Sequence, residues 1–137
     1  MMRLILLTPL HSALTIPDVQ SLRGEDATGA FGILPRHADF VTVLTVSVLS
    51  WRTSAGREGF AAVRGGTLTV SGGDEIRVAT PEAVVADSLD ALHADVLARL
   101  QREAAAETQA RRVVERIEKQ ALVELAREFR WGSGARY

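Results

Sequence analysis

The chain has 137 residues, a formal net charge of −1, 47% hydrophobic and 24% charged residues, and no cysteine. Such a length suits one compact domain or a domain with a small appendage, and the composition is that of a folded chain, not a disordered one. The near-neutral balance removes the bulk electrostatic case for a nucleic-acid partner, and the missing cysteine excludes disulfides, thiol chemistry and cysteine metal sites.

Taken in order, residues 1–8 read as a strand of β-favouring Leu and Ile, ended by Pro9. Its apolar core, Leu4 to Leu7, is too short for a membrane span or a signal-peptide core, so attachment to a membrane is expected only through other proteins. Leu14, Ile16 and the run 19–22 predict a second strand, broken near Pro17-Asp18. Residues 31–34 form a short third strand. Pro35 then favours extended geometry at Leu34 and a sharp corner after it. Residues 41–51 are dense in Val and Thr and alternate in the strand period. Ser54-Ala55-Gly56 marks a turn, and residues 59–63, 67–70 and 75–79 are further strands divided by Gly65-Gly66 and by Gly72-Gly73-Asp74. Short strands at regular spacing with glycine turns predict an antiparallel sandwich or barrel that closes on itself, since open edges would otherwise stay unpaired.

The pattern changes after Ala86. Asp87 or Ser88 can cap a helix, and Leu89, Leu92, Val96 and Leu100 recur at helical spacing. A weak point is expected around Glu107-Thr108. Ala110, Val114, Ile117, Ala121 and Leu125 then trace a second apolar stripe. The expected architecture is therefore mainly β plus α: an antiparallel β-sandwich over residues 1–86, then an antiparallel two-helix hairpin over 87–137. Gly132-Ser133-Gly134 is expected to end the second helix.

Charge follows the same division. Residues 1–88 carry seven basic and nine acidic groups, whereas residues 109–137 carry seven basic and four acidic ones. At about 100° per residue, Arg112, Arg116, Lys119, Arg127 and Arg130 share an arc of roughly 80°, and the acidic residues of that segment fall outside it. A solvated face is the ordinary meaning of such a run; the segregation also suits an acidic protein partner.

Catalytic chemistry is hard to place. Gly24 and Gly29 have phosphate-loop spacing, but Ala30 and Phe31 stand where Lys and Ser or Thr are needed, and Glu25 and Asp26 repel phosphate. His11, His37 and His93 lack a second ligand at metal spacing, so no metal is expected. Ser12, Ser47 and Ser50 lack a nucleophile-elbow context, and the acidic pairs Glu25-Asp26 and Asp74-Glu75 sit in turns. The whole chain holds only seven aromatics and its sheet half is net acidic, which makes a poor base-stacking platform. Trp51 and Phe60 are expected as core or interface anchors, and Phe129 and Trp131 as anchors near the chain end.

The stretch GEDATGAFGILPRHADF, residues 24–40, resembles the signature of the epsilon subunit of rotary F-type ATP synthases. The order of a strand-rich half followed by helices is similar to that family along essentially the whole chain. The resemblance implies a non-catalytic central-stalk subunit without cofactor. It would bind the gamma subunit and the membrane-embedded c-ring, at the cytoplasmic face of a bacterial inner membrane. It implies that Glu25, Asp26, Gly29 and Ala30 face the c-ring, and that Arg36, His37 and Asp39 lie on the gamma side. It also implies that Arg112, Arg116, Lys119, Arg127 and Arg130 can brake ATP hydrolysis against the alpha and beta subunits. Arg36 and Asp39 replace the Gly and Pro of the family's G-H-A-P corner, which suggests a divergent, alternative-ATPase branch. Leu89, Asp90 and Ala94 match the family's ATP motif I/L-D-x-x-R-A, but His93 stands at its arginine, so weak or lost ATP sensing is expected. Two other readings remain open: a nucleotide-sensing regulatory module, and a nucleic-acid-binding β-barrel.

Overall fold

A computed structural model describes the backbone of residues 1–92 and 94–134, with side chains described for 1–92 and 96–127. By their internal contacts the residues form two compact units, Met1–Ala104 and a second that begins at Ala105.

The first unit contains seven strands: β1 (Met2–Thr8), β2 (His11–Asp26), β3 (Gly29–Ile33), β4 (Phe40–Thr53), β5 (Glu58–Ser71), β6 (Glu75–Ala79) and β7 (Ala83–Ala86). Their pairing runs β1-β6-β5-β4-β2-β3, β7 joins β5, and β1 also pairs with β2. The ring β1-β6-β5-β4-β2 is thus closed, which protects five strands from having a free edge. Among the described residues only β1 and β6 run parallel.

Strand β5 changes partner along its length. The last residues of β5 pair with β6, and its first residues pair with β7. The change of partner falls across Gly65 and Gly66, both with positive φ. A Cβ on Gly66 would lie 2.1 Å from the Ala79 carbonyl oxygen, so only glycine lets β5 bend this close to the end of β6. The sequence suggested that this glycine pair divides two strands. Instead it bends one, because β4 continues to pair across it in unbroken register from Phe40↔Val70 to Arg52↔Glu58. Similarly, Pro17-Asp18 does not break β2. The register steps from Leu4↔Ile16 to Met2↔Val19, a bulge with Asp18 at φ 58, and pairing resumes. Strand β7 is one the sequence reading did not separate from the linker that follows.

Between the layers lies a core of alternating residues, including Leu4 and Leu6 of β1, Leu22 of β2, Leu49 and Trp51 of β4, Val63 and Leu68 of β5, and Ile76 and Val78 of β6. Trp51 is the core anchor the sequence led us to expect. Phe60 belongs to a second cluster, on the outer face, where Ala62, Leu92 and Leu100 are buried against Val46, Val48, Val84, Ala86 and Val96.

The linker after β7 makes one 3-10 turn at Leu89–Ala91, capped by the Ser88 hydroxyl accepting from the Ala91 amide. A single helix, α1, then spans Ala94–Gly134. This differs from the expected hairpin, since no turn interrupts the helix at Glu107-Thr108. The reason is local. The segment holds neither glycine nor proline, and Ala104, Ala105, Ala106, Gln109 and Ala110 favour helix more than one threonine cap opposes it. Leu89, expected to start the buried stripe, is exposed because the 3-10 turn takes it off the helix register.

Candidate functional site

The residues 24–40 fold into two adjoining features. The first is the β2–β3 hairpin, in which Asp26 pairs with Gly29, Glu25 with Ala30 and Gly24 with Phe31. The two acids of its tip do different things. Asp26 accepts from the Thr28 amide at 2.9 Å and from the Thr28 hydroxyl through Oδ1, and from the Thr42 hydroxyl at 2.7 Å through Oδ2. These bonds, led by that to the Thr28 side chain, hold its carboxyl below the usual carboxylate range. Glu25 uses only its backbone, whose carbonyl accepts from the Thr45 hydroxyl at 3.2 Å, and its side chain is exposed beside Ala30. Asp26 therefore shapes the hairpin, and Glu25 is the exposed acid of the tip. The tip is a strand turn and not a phosphate cradle.

The second feature is the corner at 34–39. The His37 amide donates to the Leu34 carbonyl at 3.2 Å, closing a turn in which Arg36 takes φ 67. A β-carbon disfavours that conformation, which is the physical sense of glycine at this place in the G-H-A-P pattern. The corner is latched to the β5–β6 turn. The Arg36 amide donates to the Gly73 carbonyl at 2.9 Å, and Asp39 Oδ1 accepts from the Gly72 amide at 3.1 Å. A Cβ on Gly73 would come within 3.0 Å of Arg36 Cα, so the approach is close. Asp39 thus supplies an acceptor that a proline at this place would lack. His37 is half buried. Its Nδ1 contacts the Ala38 carbonyl at 2.7 Å, and its ring meets Phe40 edge-on at 5.6 Å, with Phe40 in turn against Phe31 at 5.7 Å. This three-ring stack ties the corner to the hairpin, so the two features form one continuous surface. The Gly72–Gly73 latch escaped the sequence reading, because its contact crosses from residue 36 to 73 with no local signal.

On the opposite flank of the sandwich, the start of α1 is held by charge as well as by Leu92 and Leu100. Arg64 of β5 bonds Glu103 at 3.0 Å, and Arg99 reaches both Glu103 at 2.9 Å and Glu82 at 3.1 Å. The Arg99 bond, the leading cause, holds the Glu103 carboxyl below its ordinary range, and Arg99 itself is raised, chiefly by Glu103 and then Glu82. Of the degenerate ATP motif, Leu89 and Asp90 are exposed in the 3-10 turn and Ala94 begins α1; His93 lies outside the described residues.

In the second unit every described side chain from 105 to 127 is exposed, including Arg112, Arg116, Lys119 and Arg127. The Arg130, Phe129 and Trp131 side chains lie outside the described residues. Beside the basic arc, Val113, Val114, Ile117 and Leu125 form an exposed apolar arc on the same helix. Among the described residues there is no cluster of metal-ligating side chains, and no helix is long and apolar enough to cross a membrane.

Comparison with known proteins defines the class first. Residues 1–86 match the family described as ATP synthase, delta/epsilon chain, β-sandwich domain. Over 133 residues, 97% of this chain and 96% of the relative, the chain is 38% identical to "ATP synthase epsilon chain 2" of Paraburkholderia xenovorans. It is 43% identical over 105 residues to the protein of the same name from Cereibacter sphaeroides, covering 77% of this chain and 69% of that one. Among solved structures, a chain in the Euglena gracilis mitochondrial ATP synthase, resolved with OSCP, F1 and c-ring, superposes with a TM-score of 0.56 at 23% identity. That match covers 77% of this chain and 64% of the other, so it spans less than two thirds of the Euglena chain. A chain of the Tetrahymena thermophila mitochondrial ATP synthase, central stalk and c-ring, gives 0.50 at 13% identity over 61% and 65%. These two structures bear on the fold alone. The chain belongs to the ATP synthase epsilon-chain family, and with it to the non-catalytic subunits of that machine.

Proposed function

We propose that this chain is a central-stalk subunit that joins gamma to the c-ring, coupling ion movement through the ring to ATP synthesis or hydrolysis. The observation that carries this reading is the near full-length similarity to epsilon chains. On this reading the hairpin tip (Glu25, Ala30, with Asp26 and Gly29 shaping it) meets the polar loops of the c-ring, and the corner of Arg36, His37 and Asp39 faces gamma. The edge-on contacts of Phe40 with His37 and Phe31 support the pairing of these roles, since they join the two regions. Attachment at the cytoplasmic face of a bacterial inner membrane is then indirect, through the ring.

The C-terminal residues act as a brake in the same proposal. Arg112, Arg116, Lys119, Arg127 and Arg130 present positive charge to acidic segments of alpha or beta, and the hairpin anticipated from the sequence is a second, retracted arrangement of the same helix. Exposed ion pairs contribute about 0–1 kcal/mol each, so the brake needs the cluster. ATP sensing is weak or absent, because histidine cannot hold a phosphate as a permanently charged, forked arginine does. The "2" in the names of two relatives supports an alternative branch of the family, with rotor partners fitted to Arg36 and Asp39.

Membranes carrying the host complex but stripped of this subunit provide the test. Adding the protein back should restore ATP-driven ion pumping, and the variant Glu25→Lys should bind the gamma-containing catalytic part yet restore pumping poorly. Failure of the wild-type chain to bind would end the stalk reading.

A further inference from the structure

We propose that the outer sheet face where β2, β4 and β5 run side by side is a docking site for an acidic residue of a partner protein, with Arg23 as its principal cation. The site shares no residue with the hairpin tip, the corner or the basic arc of the helix, and it does not rest on the stalk assignment.

Strand pairing builds the site. Leu22 of β2, Leu49 and Trp51 of β4 and Ala61 of β5 are buried in the core. Period-two alternation therefore turns Ser21 and Arg23, Ser50 and Arg52, and Glu58 and Phe60 to the other face. Register sets these six in two rows. Ser21 lies opposite Arg52 and Arg52 opposite Glu58, while Arg23 lies opposite Ser50 and Ser50 opposite Phe60. With Trp51 they line a surface cavity of about 420 Å³, large enough to seat a side chain of a partner.

Three features decide what the cavity takes. The first is charge. Arg52 is already committed to Glu58 at 2.6 Å, whereas Arg23 is exposed and makes no ion pair among the described residues. The site thus holds a surplus of one positive charge, which matches one carboxylate, and Glu58 opposes a doubly charged phosphate. The second is hydrogen bonding. The Ser21 and Ser50 hydroxyls stand one in each row, and among the described residues neither side chain donates to a protein acceptor. The third is an apolar wall. Phe60 packs on one side against the cluster of Ala62, Leu92 and Leu100, and its remaining surface borders the cavity, where the aliphatic part of a glutamate or an apolar neighbour can rest. A lone exposed arginine binds a carboxylate weakly. Two hydroxyl donors and an aromatic wall beside it make this face more selective than a surface charge.

Titration of the isotope-labelled full-length protein, followed through its amide NMR signals, tests this. The probes are the blocked peptide acetyl-Leu-Glu-Leu-amide, its neutral counterpart acetyl-Leu-Gln-Leu-amide, and inorganic phosphate. The amides of Ser21, Arg23, Ser50 and Arg52 should shift with the glutamate peptide, and the other two probes should bind at least about fivefold more weakly. Arg23→Gln should weaken the glutamate peptide by about fivefold, and Glu58→Gln, which releases Arg52, should tighten it by about threefold. Unmoved signals of the core residues Val63 and Leu68 report an intact sandwich in each variant. Equal binding of the two peptides, tighter binding of phosphate, or an unchanged affinity in Arg23→Gln would overturn the proposal. So would shifts confined to residues outside this face, or none at about 10 mM peptide.

Discussion

Arg36 sits at φ 67 in a corner where glycine would be unstrained. The left-handed conformation costs a non-glycine residue about 1–2 kcal/mol, and glycine loses roughly 0.5–1 kcal/mol of that advantage through the entropy of the unfolded chain. Arg36→Gly should therefore stabilise the protein by about 0.5–1 kcal/mol, seen as a higher thermal midpoint; a lower midpoint would mean that the arginine side chain contributes more than its backbone costs. Asp26 and Glu25 make a paired prediction. Asp26→Ala should lower the midpoint, because three bonds to Thr28 and Thr42 are lost, whereas Glu25→Ala should leave it unchanged. Acid stability follows from the same side chains. Asp26, held by Thr28 and then Thr42, Glu75, held by Arg3, and Glu103, held by Arg99 with Arg64 and Glu82 alongside, all have lowered carboxyl pKa values. A carboxylate whose folded pKa lies below its unfolded one contributes stability that is complete above the unfolded value, near 4, and is lost as pH falls through the folded value. Urea midpoints should thus be insensitive to these groups from neutral pH to about 5 and drop below about 4. A midpoint that rises on acidification there would refute the assignment. At this scale the sequence was partly legible. It singled out Glu25, Asp26, Arg36, His37 and Asp39, but could not tell the structural acid from the exposed one, since that depends on Thr42, sixteen residues away.

Strands were the more legible elements, because period-two alternation reports directly on which face is buried. Their interruptions were less so. Glycine pairs and Pro-Asp look alike in sequence whether they end a strand or bend it, and only pairing across β4 and β1 decides between the two. Gly66 gives the sharpest consequence. In Gly66→Ala the new Cβ would meet the Ala79 carbonyl oxygen, at a φ of 116 that alanine rarely adopts. A loss of about 2–4 kcal/mol should follow, measured by urea unfolding, and a loss below about 0.5 kcal/mol would show that β5 and β6 can separate freely. The helix was legible in type but not in extent. Apolar spacing announced helical character from Leu89 onward, ahead of the observed start at Ala94, and a turn at Glu107-Thr108 was expected where alanine and glutamine carry the helix through. The ion pairs that join Arg64 and Glu82 to the helix were invisible for the same reason as the Gly72–Gly73 latch: Arg99 bonds Glu82 across 17 residues and Glu103 bonds Arg64 across 39, so the partners meet only in the fold.

At the scale of the whole molecule, architecture and charge divide the labour. In the proposed role, the hairpin tip and the corner of the closed sandwich are the surface that two partners would share. The residues after Ala104 carry a net positive charge, and among them Val113, Val114, Ile117 and Leu125 are exposed. Reversing Arg112, Arg116 and Lys119 to glutamate should leave assembly with the stalk intact and relieve inhibition of ATP hydrolysis severalfold; undiminished inhibition would remove electrostatics from the account. The most direct test of the central claim is ATP hydrolysis by the host catalytic complex stripped of this subunit, with added full-length protein or a chain ending at Ala104. The account predicts that both bind the complex and only the full-length protein slows hydrolysis. Failure of either to bind would contradict the stalk assignment, and equal slowing by both would contradict the role given to the helix.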